Sequence, residues 1–198
     1  MRSAMPLALR DVAALTQSQR AAAARVLREA LAHLPSGFQG PDEAEAEVDA
    51  LCNDPQWLGF AAMDQEQLVG WIGALRTYSH GWELHPLVVD PGRQRRGVGS
   101  ALLAHLEARA RAEGVITLYL GTDDDYGGTN LFGRDLLPDL LGHAAAVEPA
   151  GPGHAFTFYR RHGYQVVGLL PDVNGPGRPD ILMAKRLADG ETTGRRRP

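Results

Sequence analysis

A mixed α/β sheet is the fold that this sequence predicts, and three features predict it. Two apolar runs, residues 57–63 and 68–75, flank the polar turn Asp64-Gln65-Glu66-Gln67 in the pattern of a β-hairpin. A β-branched run at 82–89 leads through a Gly/Arg-rich loop into an amphipathic helical stretch. The apolar run 116–121 follows, completing a strand–loop–helix–strand crossover. Hairpin and crossover together require one sheet with antiparallel and parallel pairs and flanking helices. A chain of 198 residues suits one domain with a substantial core; residues 1–188 are read as that domain and 189–198 as a flexible tail.

In chain order, residues 6–12 read as a short first strand. Thr16 with Gln19 three residues later forms a capping box, and Val26, Leu27, Leu31 and Leu34 make one apolar stripe on the helix behind it. The segment 34–40 breaks that helix. A second begins at Pro41, with Asp42 and Glu43 in the first turn, where the helix dipole favours negative charge. After the hairpin and the strand at 82–89, the loop 92–99 precedes a helix at 100–113. That helix buries Leu102, Leu103, Leu106 and Ala110 and stops at Gly114. The acidic, Gly-rich stretch 123–153 holds one short helix around 136–143. Residues 154–162 are helical up to Gly163, and strands at 164–170 and 181–185, separated by a long turn over 171–179, close the sheet.

Composition excludes several classes. Hydrophobic residues make up 44% and charged residues 22%, as in an ordinary globular protein. A net charge of −4 gives no general attraction to nucleic acid or anionic membrane. The single cysteine, Cys52, excludes an intrachain disulfide and a zinc cluster; its helical apolar setting reads as a small packed hydrophobe. The run 5–9 is broken by Arg10 and Asp11, so no signal peptide is read, nor any bilayer-length apolar stretch, and the expected location is cytoplasmic. Arg195, Arg196 and Arg197 read as a solubilising tail.

The strongest local signal is Gln94-Arg95-Arg96-Gly97-Val98-Gly99, between the strand and the helix. Gly97 and Gly99 let backbone approach a ligand closely, and the loop N–H groups and helix N-terminus converge as an anion site. Arg93, Arg95 and Arg96 add positive charge suited to a pyrophosphate. Read alone, the run fits either that cradle or a Gly-rich turn with solvated arginines. It is neither a Walker loop nor Gly-x-Gly-x-x-Gly. In the strand before it, Pro86 cannot donate to a ladder and marks an edge or a bulge. Alternation puts Glu83 and His85 on one face and Trp82 and Leu84 on the other. The pair fits an acid/base site, and equally a surface carboxylate beside a satisfied histidine.

The loop resembles the Gln/Arg-x-x-Gly-x-Gly/Ala signature of the GNAT acetyltransferases, preceded by Leu87-x-Val89-x-Pro91 as in that family. The run from Phe156 to Tyr164 resembles its Phe-Tyr-x-x-x-Gly-Tyr/Phe element. The resemblance implies a GNAT fold: a central, mostly antiparallel sheet with flanking helices, whose strands at 82–89 and 116–121 splay apart. It implies acetyl-CoA as co-substrate and no metal. The pyrophosphate would lie on Gln94, Arg95, Arg96, Gly97, Val98, Gly99 and Ser100, and the pantetheine arm on backbone of Leu87, Val88 and Val89. Tyr159 would lie near the sulfur and protonate the departing thiolate.

Further stretches narrow the resemblance. Gly81-Trp-Glu-Leu-His-Pro-Leu-Val-Val89, Leu118-Tyr-Leu-Gly-Thr-Asp-Asp124, Val167-Gly-Leu-Leu-Pro171 and Pro179-Asp-Ile-Leu-Met-Ala-Lys185 are similar to the aminoglycoside 6'-N-acetyltransferases, in order from about residue 57 to 187. This implies acetyl transfer to the 6'-amine of an aminoglycoside antibiotic by direct attack in a ternary complex, antibiotic resistance, and a homodimer. Glu83 would act as the base, Glu83 and His85 would lie at the acceptor site, and the acidic segment would line a pocket for a polycation. Asp123 and Asp125 are the selected ligands there; Asp135 and Asp139 also fit exposed positions on a short helix, and the whole segment fits a solvated loop. The sequence departs from the family at Tyr126, beside Asp125, where a further acidic residue is common, and at His154-Ala155, where His-Pro is usual. Gly127-Gly128 and the Gly/Pro-rich 149–153 imply a looser acceptor loop. Two other functions fit the same chain: acetylation of another amine (a polyamine, an amino sugar or a peptide N-terminus), and a non-catalytic acyl-CoA-binding module. Intact Tyr159, Glu83 and the Gly97/Gly99 loop argue against the second.

Overall fold

The computed structural model describes residues 7–187 except Ser36, Gln39 and Pro152. The expected tail at 189–198, with its arginines, lies outside the described residues, as does Pro6 of the expected first strand. The described residues form a seven-stranded sheet: β1 (Ala8–Asp11), β2 (Trp57–Asp64), β3 (Gln67–Leu75), β4 (Gly81–Val89), β5 (Thr117–Asp123), β6 (Gln165–Leu170) and β7 (Asp180–Arg186). Their order is β1-β2-β3-β4-β5-β7-β6. Every neighbouring pair is antiparallel except β4–β5, which the crossover makes parallel.

Helices α1 (Gln17–Leu31) and α2 (Pro41–Asn53) cover one face of the sheet. The other face carries α3 (Val98–Ala112) and, further along the chain, α4 (Leu140–Ala145) and α5 (Ala155–Arg161). Local chemistry sets the boundaries. The Thr16 hydroxyl accepts from Gln19 N while Thr16 N donates to Gln19 Oε1, the reciprocal cap expected from the spacing. Helix α1 stops at Leu31, so Leu34 lies beyond the stripe. Pro41 opens α2. His154 caps α5, its Nδ1 accepting from Phe156 N at 3.1 Å. Helix α3 starts at Val98, two residues earlier than the apolar pattern suggests, because Gly97 is its N-cap at φ +86°. Ile116 is left outside β5 and exposed.

Two apolar clusters sandwich the sheet. Ala61, Met63, Trp71 and Val88 pack with Val26 and Leu27 of α1 and Val48 and Leu51 of α2. Phe60, Ile72, Trp82 and Leu84 pack with Leu102, Leu103 and Leu106 of α3 and Phe156 and Tyr159 of α5. Burial on both faces explains why β2 and β3 read as continuous apolar runs without alternation. Cys52 is half-buried, its thiol donating to Val12 O at 3.4 Å. No helix among the described residues is long and apolar enough to cross a membrane.

Candidate active site

The site begins with a fault in strand β4. Ile72 pairs with Leu87 and Ala74 with Leu84, so the single Gly73 faces both His85 and Pro86. That is a β-bulge, at the proline that cannot join a ladder. A bulge inverts the alternation beyond it. Trp82 and Leu84 lie under α3, and so do Leu87 and Val89, whereas Val88 faces α1 and α2.

The bulge coincides with a parting of strands. β4 and β5 pair over Gly81↔Thr117, Trp82↔Leu118 and Glu83↔Tyr119, and then stop pairing. β4 continues to Val89 along β3, and β5 continues to Asp123 along β7. The sheet therefore opens into a wedge between Leu84–Val89 and Leu120–Asp123, with β4 backbone groups turned toward it. An acyl thioester on a long, thin arm fits such a wedge, because freed strand groups can bond to the arm's amides.

At the far end of β4 the chain turns through a 3-10 segment, Pro91–Arg93, into the Gly/Arg loop. Both Arg95 (φ +59°) and Gly97 (φ +86°) are left-handed, which turns successive N–H groups of the loop toward the start of α3. Gly97 has open space where a side chain would stand, so its constraint is conformational alone. Arg95 and Arg96 are exposed and Val98 is buried, leaving only its backbone to the loop. Arg93 is ion-paired with Asp64, which removes it from the loop's free charge. Gln94 Nε2 donates to Val89 O at 3.2 Å, tying the loop to the strand. A β-carbon on Gly99 would lie 3.6 Å from the Phe158 ring and 3.7 Å from Val89 Cγ2, so the end of β4, the start of α3 and α5 meet here. These residues fit the anionic end of a nucleotide-linked thioester. Tyr159, next to Phe158, is 7% exposed and burial pushes its phenol well above the ordinary range, so the hydroxyl stays protonated throughout the physiological range.

Carboxylates line the wedge from its closed end, at Glu83, to the end of its β5 arm, at Asp123. Glu83 is half-buried, with the Tyr119 hydroxyl 3.4 Å from its Oε2 and 3.0 Å from Thr77 Oγ1. Thr77 spends its own proton on Gly81 O, so the single Tyr119 proton is shared between Thr77 and Glu83. His85, on the same face, is half exposed and 3.5 Å from Glu47 Oε1 of α2, with Trp57 beside it. Glu83 and His85 thus address different partners. Asp123 accepts from Asn174 Nδ2 and stands opposite Asp180 across the β5–β7 ladder.

Asp180 was not selected from the sequence. Its carboxyl lies across Gly121, where a β-carbon would come 2.2 Å from Oδ2. Its Oδ1 is buried with no hydrogen-bond partner among the described residues. Burial first, then the charges of Asp123 and Glu83, push its pKa up to about 6. The only sequence signal was a strand-opening aspartate, and cross-strand register had to be known before it meant anything.

The acidic segment divides. Asp124 is fully buried and accepts from Gly128 N, Thr129 N and Thr129 Oγ1, so it staples its own loop. Asp125 is 4% exposed. Asp135 accepts from Leu137 N and Asp139 caps α4 at Gly142 N; both are exposed, in local turn roles. Tyr126 stacks on His154, with ring centroids 5.5 Å apart. Among the described residues, no group of three or more His, Cys, Asp or Glu side chains is placed to hold a metal.

Comparison with known proteins accords with this geometry. Residues 24–133 match the model of the acetyltransferase (GNAT) family. The chain is similar to an aminoglycoside 6'-N-acetyltransferase solved with coenzyme A, with 35% identity and a TM-score of 0.84 over 92% of this chain and 98% of that one. It is similar to the aminoglycoside 6'-N-acetyltransferase from Enterococcus faecium, with 35% identity and a TM-score of 0.81 over 94% and 99%. A type Ii aminoglycoside 6'-acetyltransferase gives 33% identity and a TM-score of 0.68 over 94% and 99%. No curated protein sequence matches the chain significantly.

Proposed function

We propose that this chain, which belongs to the GNAT acetyltransferase family and groups within it with the aminoglycoside 6'-N-acetyltransferases, transfers acetyl from acetyl-CoA to the 6'-amine of an aminoglycoside. The observation that carries the reading is the wedge where β4 leaves β5 after Glu83, with a phosphate-type loop beyond its β4 arm, Glu83 at its closed end and Asp123 at the end of its β5 arm. Solved relatives of known acceptor supply the substrate class.

In this reading Gln94, Arg95, Arg96, Gly97, Val98, Gly99 and Ser100 hold the pyrophosphate, and backbone of Leu87, Val88 and Val89 holds the arm. Acetyl-CoA supplies an activated acyl carbon. Glu83, with His85, Asp123 and Asp125, holds a polycationic acceptor, and Glu83 takes the proton that the 6'-ammonium must lose before its nitrogen can attack. As the C–N bond forms and the C–S bond breaks, Tyr159 gives its proton to the leaving sulfur. The nitrogen loses a second proton as the adduct collapses to the amide; that proton restores the Tyr159 phenol, and Glu83 releases the first to solvent, so the net products are amide, free thiol and one proton. Residues 1–188 serve as one catalytic domain, and a cytoplasmic homodimer conferring resistance completes the proposal.

The test is an acceptor panel with acetyl-CoA and thiol-release detection, comparing aminoglycosides that carry a 6'-amine with analogues that carry a 6'-hydroxyl. Turnover of the amines alone is expected. Turnover of polyamines or peptides with no aminoglycoside activity would replace the acceptor assignment, and cofactor binding without any turnover would replace the enzyme with a binding module.

A further inference from the structure

His162 follows α5 and faces the first turn of α3. Its Nδ1 lies 2.9 Å from Phe158 O. A carbonyl only accepts, so Nδ1 carries a proton. Its Nε2 lies 3.0 Å from the hydroxyl of Ser100. With Nδ1 protonated, Nε2 of a neutral ring can only accept, and the Ser100 proton must point at the imidazole. That leaves the serine presenting lone pairs, the wrong polarity for an anion, at the third residue of the helix whose N-terminus faces the Gly/Arg loop. Protonation of Nε2 reverses the bond: the imidazolium donates to Ser100 Oγ, and the hydroxyl proton becomes free to donate elsewhere.

We propose that His162 is a positioning residue for the phosphates of coenzyme A: binding draws one proton from solvent onto Nε2, and this turns the Ser100 hydroxyl toward the anion as a donor. The proposal rests on the acetyl-CoA reading of the loop. The negative charge of the phosphates favours the cationic ring, and the ring in turn adds charge beside them. The Phe158 ring lies tilted against the imidazole, with 4.3 Å between centroids. The charged groups on neighbouring elements are Arg160 and Arg161 on α5, Arg95 and Arg96 on the loop, and Lys185 of β7 beside Gly163. Lys185 is bound to Glu107 of α3 through both carboxylate oxygens. None of these groups is hydrogen-bonded to His162, whose two nitrogens are occupied by Phe158 and Ser100.

The experiment is calorimetric titration of coenzyme A into the wild type, His162→Gln and Ser100→Ala, between about pH 6 and pH 8.5 in buffers of differing ionisation heat. Proton uptake is expected for the wild type and not for His162→Gln, whose amide cannot titrate. Relative to that variant, wild-type affinity should gain about tenfold from the basic to the acidic end of that range. Ser100→Ala should lose more affinity at the acidic end than at the basic end. Titration of the coenzyme's own phosphates is common to all three proteins and cancels. Equal uptake and equal pH slope in wild type and His162→Gln would overturn the proposal. Failure of the wild type to bind coenzyme A at any pH would overturn the acetyl-CoA reading itself, a result that cannot be confused with pH-independent binding.

Discussion

Gly73 lies directly against the carbonyl oxygen of His85: a β-carbon at Gly73 would stand 2.5 Å from it. The bulge at His85–Pro86 exists because β3 presents no side chain there, and the bulge in turn sets which way Leu87, Val88 and Val89 face. Gly73→Ala should therefore lower stability by about 1–3 kcal/mol, the usual range for overpacking, and also weaken coenzyme A binding. Thermal melts with and without coenzyme A check both parts; a destabilised variant of unchanged affinity would separate the bulge from the cofactor site.

Glu83 and Gly97 stand at opposite ends of the wedge, and their variants should dissociate cleanly. Glu83→Ala should reduce acceptor turnover by about 10²–10⁴-fold with little change in coenzyme A affinity. Gly97→Leu must hold a left-handed φ at a cost of about 1–2 kcal/mol and should weaken coenzyme A binding while sparing acceptor recognition. Steady-state kinetics in both substrates provides the measurement, and parallel losses in the two variants would contradict the map.

Tyr159 is buried and protonated, which suits a donor and not a base. Tyr159→Phe keeps the ring and its packing against Tyr164 and Phe158 but removes the proton. Its kcat should fall about 10²-fold or more while KM for acetyl-CoA changes little. Acetyl donors with more acidic leaving thiols should recover part of the loss, since they need protonation less.

Asp180 links the site to stability. Its pKa is raised from 3.8 to about 6, so between those values the folded protein holds a proton that the unfolded chain has released. Its contribution is thus fully present below the unfolded value and is lost as pH rises through about 6. Asp180→Asn should accordingly be more stable than wild type near pH 8, by at most about 3 kcal/mol and by less after solvent screening, with the gain vanishing below about pH 4. Urea denaturation at the two extremes decides it; a gain independent of pH would point to packing, not charge.

Much of this was legible in the chain. The hairpin, the crossover helix, the capping box at Thr16 and an interrupted ladder at Pro86 follow from local chemistry, because turns, caps and missing N–H groups act over a few residues. The Gly/Arg loop was legible for the same reason. The carboxylates were only half legible. Five aspartates within 123–139 look alike in sequence, yet Asp124 staples a loop, Asp125 is buried, Asp135 and Asp139 serve turns, and Asp123 faces Asp180 from a neighbouring strand.

By itself, then, the sequence determined most of the elements, the conformational freedom of Gly97 and Gly99 and the charges available to a ligand. Only the tertiary structure decided that pairing between β4 and β5 ends at Glu83, that Asp180 lies over Gly121, and that His162 meets Ser100. The reason is range: a cap or a turn is settled by neighbours along the chain, whereas a wedge, a buried carboxyl or a hydrogen bond spanning 62 residues depends on strand register and helix packing, which arise from the whole core at once.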